Sequence, residues 1–237
     1  MRLAKPHLDI GLFTDDVDAQ REFWTHIAGL TSDHQLTLEP GWVQHRFDAH
    51  GSVIKVNHLS WALPPRPPSG FAGLAIACPP GTPPWDGVHP GGDRVQLVSP
   101  GTAGITGIGI TISSPDPARM IEFYRTAMEF ELGGPDSLRC GDTLLTVVEG
   151  PGGQDTSRTD SDGTSWDGLI GPGFRYITVQ VFDADDECAT IVGRGGRLVR
   201  KPLSFAGVAR VACVADPDGN WIEISARTSL TGIDIRD

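Results

Sequence analysis

ITGIGITISSPDPARMIEFY (residues 105–124) repeats, 100 residues on, the pattern of LDIGLFTDDVDAQREFW (residues 8–24). Each begins with an apolar-rich stretch that predicts a strand. Each continues with an aspartate able to cap a helix, Asp16 or Asp116, and an aromatic pair on the helix face, Phe23-Trp24 or Phe123-Tyr124. The match extends downstream, where Gly51 opens SVIKVN as Gly141 opens DTLLTV. A third copy starts at GFRYITVQVFD (173–183). Its strand alternates strictly, Asp183 or Asp185 can cap a helix ending near Gly193, and Asp216-Pro217-Asp218-Gly219 is a tight turn before the last strand. The unit is β-α-β-β-β, clear at 8–59, 105–149 and 173–226, and a fourth at 70–98 has lost its helix. Repetition of one such unit decides the fold class as α+β, built from tandem modules.

The chain has 237 residues, enough for one large domain or two small ones. The 100-residue echo favours two, 1–101 and 102–230, with the degenerate module closing the first. Residues 60–69 (SWALPPRPPS) hold four prolines and read as a stiff connector. Residues 150–172 are polar and glycine-rich and read as a flexible insertion able to act as a lid. A net charge of −11 repels phosphate backbones and anionic lipids, so nucleic acid and membrane surfaces are not expected partners. No apolar run reaches the roughly 18 residues that would span a bilayer. Four scattered cysteines without a Cys-x-x-Cys read as reduced, buried thiols of a cytoplasmic protein. All seven histidines precede residue 90, which excludes a mechanism using histidines from the C-terminal part. The glycines of 104–109 lead into a strand rather than a helix, so they are no dinucleotide fingerprint.

ITGIGITISSPDPARMIEFY together with GFRYITVQVFD, GGRL (195–198) and ARVACVADPDGNWIEIS (209–225) resembles the vicinal-oxygen-chelate superfamily. That superfamily includes glyoxalase I, bleomycin- and fosfomycin-resistance proteins and extradiol dioxygenases. The resemblance implies paired βαβββ modules forming curved mixed sheets around clefts. It also implies one metal ligand from the first strand and one from the last strand of each module, the metal polarising substrate oxygens. Carried over one by one, those positions fall on Asp9 and Lys55, Gly73 and Gln96, Gly107 and Leu145, and Tyr176 and Glu223. Of these only Asp9 and Glu223 ligate comfortably, and the ammonium of Lys55 has no lone pair for a metal. The expected cofactor is therefore none, with a divalent metal as the alternative.

Two clefts are expected. In the C-terminal one, Glu223 and Tyr176 are candidate catalytic groups, hydrogen-bonded to each other, and Thr178, Gln180, Trp221, Gly107 and Leu145 are candidate ligand contacts. In the N-terminal one, Asp9 and Lys55 are expected to form an ion pair where a metal would sit, with His58 nearby. The leading expectation is a metal-independent binder of a small, aromatic or planar organic molecule. The alternative is a metal-dependent lyase, isomerase or extradiol-type dioxygenase, which leaves open whether the protein is an enzyme. A third class is an assembly protein whose clefts are filled by its own side chains. Four modules can close their sheets within one chain or exchange them between two, so a homodimer is also admitted.

Overall fold

Apolar alternation gives each module its parallel pair of buried strands, and the capping aspartates start its helix. In the computed structural model, which describes residues 1–79, 81–153, 163–205 and 207–235, the first module runs β1 (Asp9–Thr14), α1 (Val17–Glu22), β2 (Thr31–Glu39), β3 (Trp42–Ala49) and β4 (Ser52–Leu59). The Asp16 carboxylate accepts from the Ala19 amide, and α1 runs on into a π-helical turn over Phe23–Ile27. The second module is β5 (Phe71–Ala77), β6 (Trp85–Val88) and β7 (Arg94–Val98), without a helix. The third is β8 (Ile108–Ser114), α2 (Pro117–Thr126), β9 (Glu131–Gly134), β10 (Ser137–Cys140) and β11 (Thr143–Glu149). The fourth is β12 (Gly173–Gln180), α3 (Ala184–Gly193), β13 (Arg197–Phe205), β14 (Ala209–Ala215) and β15 (Trp221–Arg227), followed by the single turn α4 (Thr228–Thr231). Asp116 and Asp183 cap α2 and α3 as their positions predict. Strand β6 lies in a stretch that reads as a loop, because its prolines and glycines hide a short pairing with β7 that Trp85 anchors against Phe23.

The modules do not pair in chain order. One sheet of eight strands runs β13-β14-β15-β12-β1-β4-β3-β2, and one of seven runs β6-β7-β5-β8-β11-β10-β9. The first module therefore joins the fourth, through antiparallel β1 and β12 (Asp9 opposite Thr178, Gly11 opposite Tyr176). The second joins the third through β5 and β8. The boundary expected at 101/102 lies within the second sheet, and each sheet draws on both halves of the chain. The second and third modules, consecutive in the chain, stay neighbours in one sheet, as consecutive elements usually do. The connectors 60–70 and 150–172 lead from one sheet to the other.

The two sheets meet through a shared core. Ile10, Leu12, Ile54, Val56, Ile177, Val179, Ile222 and Ile224 come from the first sheet. Leu74, Ile76, Ile108, Ile110, Ile112, Leu145 and Val147 come from the second, with Trp24, Met120, Tyr124 and Ile191 from the helical segments. Buried polar links fasten the sheets further. Asn220 Oδ1 accepts from the Gly70 amide at 2.7 Å, and Asp93 accepts from the Phe174 amide at 2.6 Å while bonding the buried His89 ring at 3.0 Å. All four cysteines are free and buried. Among the described residues no helix is long and apolar enough to cross a membrane.

Candidate functional site in the eight-stranded sheet

Joining the first and fourth modules brings Asp9, Lys55, Tyr176 and Glu223 into one cleft, where the sequence suggested two. Each lies on the strand face opposite the core. Lys55, 1% exposed, donates to Glu223 Oε1 at 2.8 Å and to Thr178 Oγ1 at 2.6 Å. Thr178 Oγ1 in turn donates to Glu223 Oε1 at 3.2 Å. Asp9 lies 4.0 Å from Lys55, at the limit of ion-pair range, and its closer cation is Lys5 at 2.5 Å. The principal partner of Lys55 is thus Glu223 rather than Asp9. Gln180 supports Asp9 with a 3.3 Å hydrogen bond.

Tyr176 does not bond Glu223. Its hydroxyl oxygen accepts from Asn57 Nδ2 at 3.1 Å and, more weakly, from Gln44 Nε2 at 3.4 Å. Asn57 Oδ1 accepts from Trp42 Nε1 and from Gln44, each at 3.0 Å, and Arg46 Nη1 donates to Gln44 Oε1 at 2.9 Å. Trp42, Gln44 and Arg46 stand at alternate positions of β3, as Lys55 and Asn57 do of β4, so one polar strand face forms this whole network. Burial disfavours the charged form of the Tyr176 phenol and pushes its pKa well above the usual range, and the nearby Glu223 adds to this. Burial likewise lowers Lys55 more than Glu223 and Asp9 raise it. Asp9 ends below the usual carboxylate range: burial favours its neutral form, but Lys55 and Lys5 together outweigh that.

Above this floor lies a cavity of about 620 Å³. Tyr176, Glu223, Lys55 and Gln44 form its base, and Leu36, Leu38, Trp42, Phe205, Val208 and Val211 form apolar walls. Its roof comes from the insertion. Trp166 and Leu169 line it, Trp166 packing edge-on to Trp42 at 6.0 Å and lying under the Arg200 guanidinium at 3.9 Å. Arg66 and Arg175 hold the backbone of this strap through the Ile170 and Leu169 carbonyls. The segment around Trp166 and Leu169 is therefore built into the cleft; residues 154–162 lie outside the described residues.

Other expected contacts fall elsewhere. Thr178 and Gln180 share the face of β12 that carries Tyr176 and bond Lys55 and Asp9 there, outside the cavity lining. Trp221 is 1% exposed and packs with Phe13, Leu59, Leu169 and Cys213, outside the cavity lining. His58 stands on the opposite face of β4 from Lys55, beside His45, because odd and even positions of a strand point apart. Leu145 belongs to the shared core, and Gly107 precedes β8 in the other sheet. That second sheet's face is closed by a small cluster of Ala75, Ala77, Ile105 and Leu144. Trp42, Gln44, Asn57, Trp166 and Arg227 were not foreseen. The alternation of WVQHRFDA and SVIKVNHL shows the first three; the others depend on which modules pair.

Gly11 makes room for the site. A Cβ there would overlap the Tyr176 ring, which crosses β1 at this point. We expect Gly11→Ala to displace the ring and to lower stability by about 1–3 kcal/mol, as overpacking does. Urea denaturation measures this, and unchanged stability would show that the ring has room to move.

Residues 108–224 match the model of the Glyoxalase/Bleomycin resistance protein/Dioxygenase superfamily. They are a domain of that superfamily. This superfamily match spans the third and fourth modules, which supply one half of each sheet. Glyoxalase I from Zea mays has a similar fold over 98% of this chain and 94% of its own, with TM-score 0.64 and 14% identity. A putative dioxygenase from Bacillus subtilis covers 95% of this chain and 86% of its own, with TM-score 0.67 and 14% identity. At such identity the likeness concerns the superfamily fold alone. No curated protein matches the sequence at a significant level.

Proposed function

We propose that this protein binds a small aromatic or planar organic molecule in the cleft of the eight-stranded sheet, without a resident catalytic metal. The observation that carries the reading is the position of Lys55. Its ammonium stands 2.8 Å from Glu223 and 4.0 Å from Asp9, where the superfamily resemblance implies a metal ion. A divalent cation there would face a fixed positive charge. Among the described residues no group of three or more His, Cys, Asp and Glu side chains is placed to hold a metal. The cavity, about 620 Å³ with mainly apolar and aromatic walls, suits a ligand of drug-like size. Within it, Glu223 Oε2 is available as an acceptor. The Tyr176 hydroxyl, kept protonated by burial, accepts from two amides and has its own proton to give to the ligand.

The test combines metal analysis with a neutral fluorescent probe, N-phenyl-1-naphthylamine. Protein purified without chelator is expected to carry no stoichiometric iron, zinc, nickel or manganese. The probe is expected to bind once per chain, and Val208→Trp, which fills the mouth of the cavity, is expected to weaken binding about tenfold or more. Stoichiometric metal, or probe binding indifferent to Val208→Trp, would overturn the reading.

A further inference from the structure

The acidic protein places an uncompensated cation in this cavity. Arg227 lines the wall at the end of β15. Among the described residues its guanidinium has no carboxylate partner, and its Nε is buried without a hydrogen bond. Glu223 lies four residues away on the same strand face, about 13 Å at roughly 3.3 Å per residue, and is already held by Lys55. Thr228, next along the wall, likewise has a buried hydroxyl without a partner. A second guanidinium adds to the field. Arg46, 5% exposed, lies behind Gln44 with its Nε unbonded and Asp33 at 3.9 Å as its ion-pair partner. Of the neighbouring charges, that of Arg227 disfavours the Arg46 cation most.

An unpaired guanidinium in an apolar-walled cavity is unfavourable until an anion meets it. We infer that the cavity is built for an aromatic monoanion, its acidic head on Arg227 and Thr228 and its planar body between Trp42, Trp166 and Phe205. The inference rests on the ligand-binding reading above and adds the charge and orientation of the ligand. A planar head such as a carboxylate or sulfonate matches the donor fork of arginine, and the bond is charge-assisted. The distal end of the ligand then reaches toward Tyr176 and Glu223, where uncharged hydrogen-bonding groups suit the site.

A matched pair of probes tests this. 1-Anilinonaphthalene-8-sulfonate differs from N-phenyl-1-naphthylamine by its sulfonate alone. The wild-type protein is expected to bind the sulfonate at least about tenfold more tightly than the neutral amine. Arg227→Gln is expected to abolish that preference by weakening the sulfonate far more than the neutral amine, whose retained binding also reports an intact cavity. Arg227→Lys is expected to retain part of it. Equal binding of the two probes by the wild type, or a preference that survives Arg227→Gln, overturns the charge assignment and leaves the binding reading standing. Failure of both probes to bind overturns both.

Discussion

Replacing Lys55 by methionine is expected to destabilise the protein by about 3 kcal/mol at neutral pH. Removing one partner of a buried ion pair strands the other charge, at about 3–5 kcal/mol in general. Here Glu223 loses both the 2.8 Å ammonium contact and the Thr178 geometry organised around it. The lower end of the range applies because Glu223 borders the cavity and keeps access to water, with 12% of its side chain exposed. Adding Glu223→Gln to Lys55→Met removes the stranded charge and is expected to restore most of the loss. Urea denaturation of the two variants decides the matter, and a single variant as stable as wild type would show that the pair does not hold the floor together. Alkaline pH provides an independent signature. Burial lowers Lys55 in the folded state, so just below 10.5 the unfolded chain binds more protons and stability rises with pH. Lys55→Met should lack that rise.

Asp216 is expected to make stability fall between about pH 4 and pH 6. Its carboxylate sits in the turn before β15, 4% exposed. It accepts from the amides of Asp218 and Asn220 at 3.0 and 2.9 Å and from Asn220 Nδ2 at 2.8 Å. The Tyr124 hydroxyl lies 3.3 Å away. Burial raises the pKa from 3.8 to about 6, and the Asn220 hydrogen bonds offset only part of it. Across that window the folded chain holds a proton that the unfolded chain has released, so raising the pH favours unfolding. At about 1.4 kcal/mol per pKa unit, the change is on the order of 3 kcal/mol. Asp9 acts in the opposite sense and in a different window. Its lowered pKa contributes stability that is lost as pH falls below 3.8. Urea midpoints at four pH values, for wild type and Asp216→Asn, test the claim. The wild type should lose stability relative to the variant from pH 4 to pH 6, and parallel curves would refute it. The stakes are structural as well, because Asn220, which Asp216 positions, carries the 2.7 Å bond to Gly70 that ties the two sheets together.

Local patterns and the superfamily resemblance together carried the reading of the site part of the way. The resemblance picked out Lys55, Tyr176 and Glu223 one at a time, and the cationic chemistry of Lys55 set it apart from a metal ligand. What neither carried was that these residues share one cleft. Asp9 and Thr178 face each other across β1 and β12 although most of the chain separates them, and strand edges bear no local mark of their partner. The same gap misdirected Leu145 and Gly107, assigned to the cleft of Glu223 when their module pairs elsewhere.

The modules are legible in local sequence: the echo of Asp16, Phe23 and Trp24 in Asp116, Phe123 and Tyr124, the capped helices, the alternating strands and the Asp216 turn. Each of these follows from interactions among residues close along the chain, so their spacing is enough to reveal them. That the first module closes with the fourth emerges from the fold, through β1 and β12. That pairing sets Lys55 against Glu223, brings Trp166 over Trp42 as a roof, and leaves Arg227 on the cavity wall without a carboxylate partner among the described residues. The reason is physical. A buried charge is tolerated or costly according to what stands within a few ångströms of it, and those neighbours come from opposite ends of the chain.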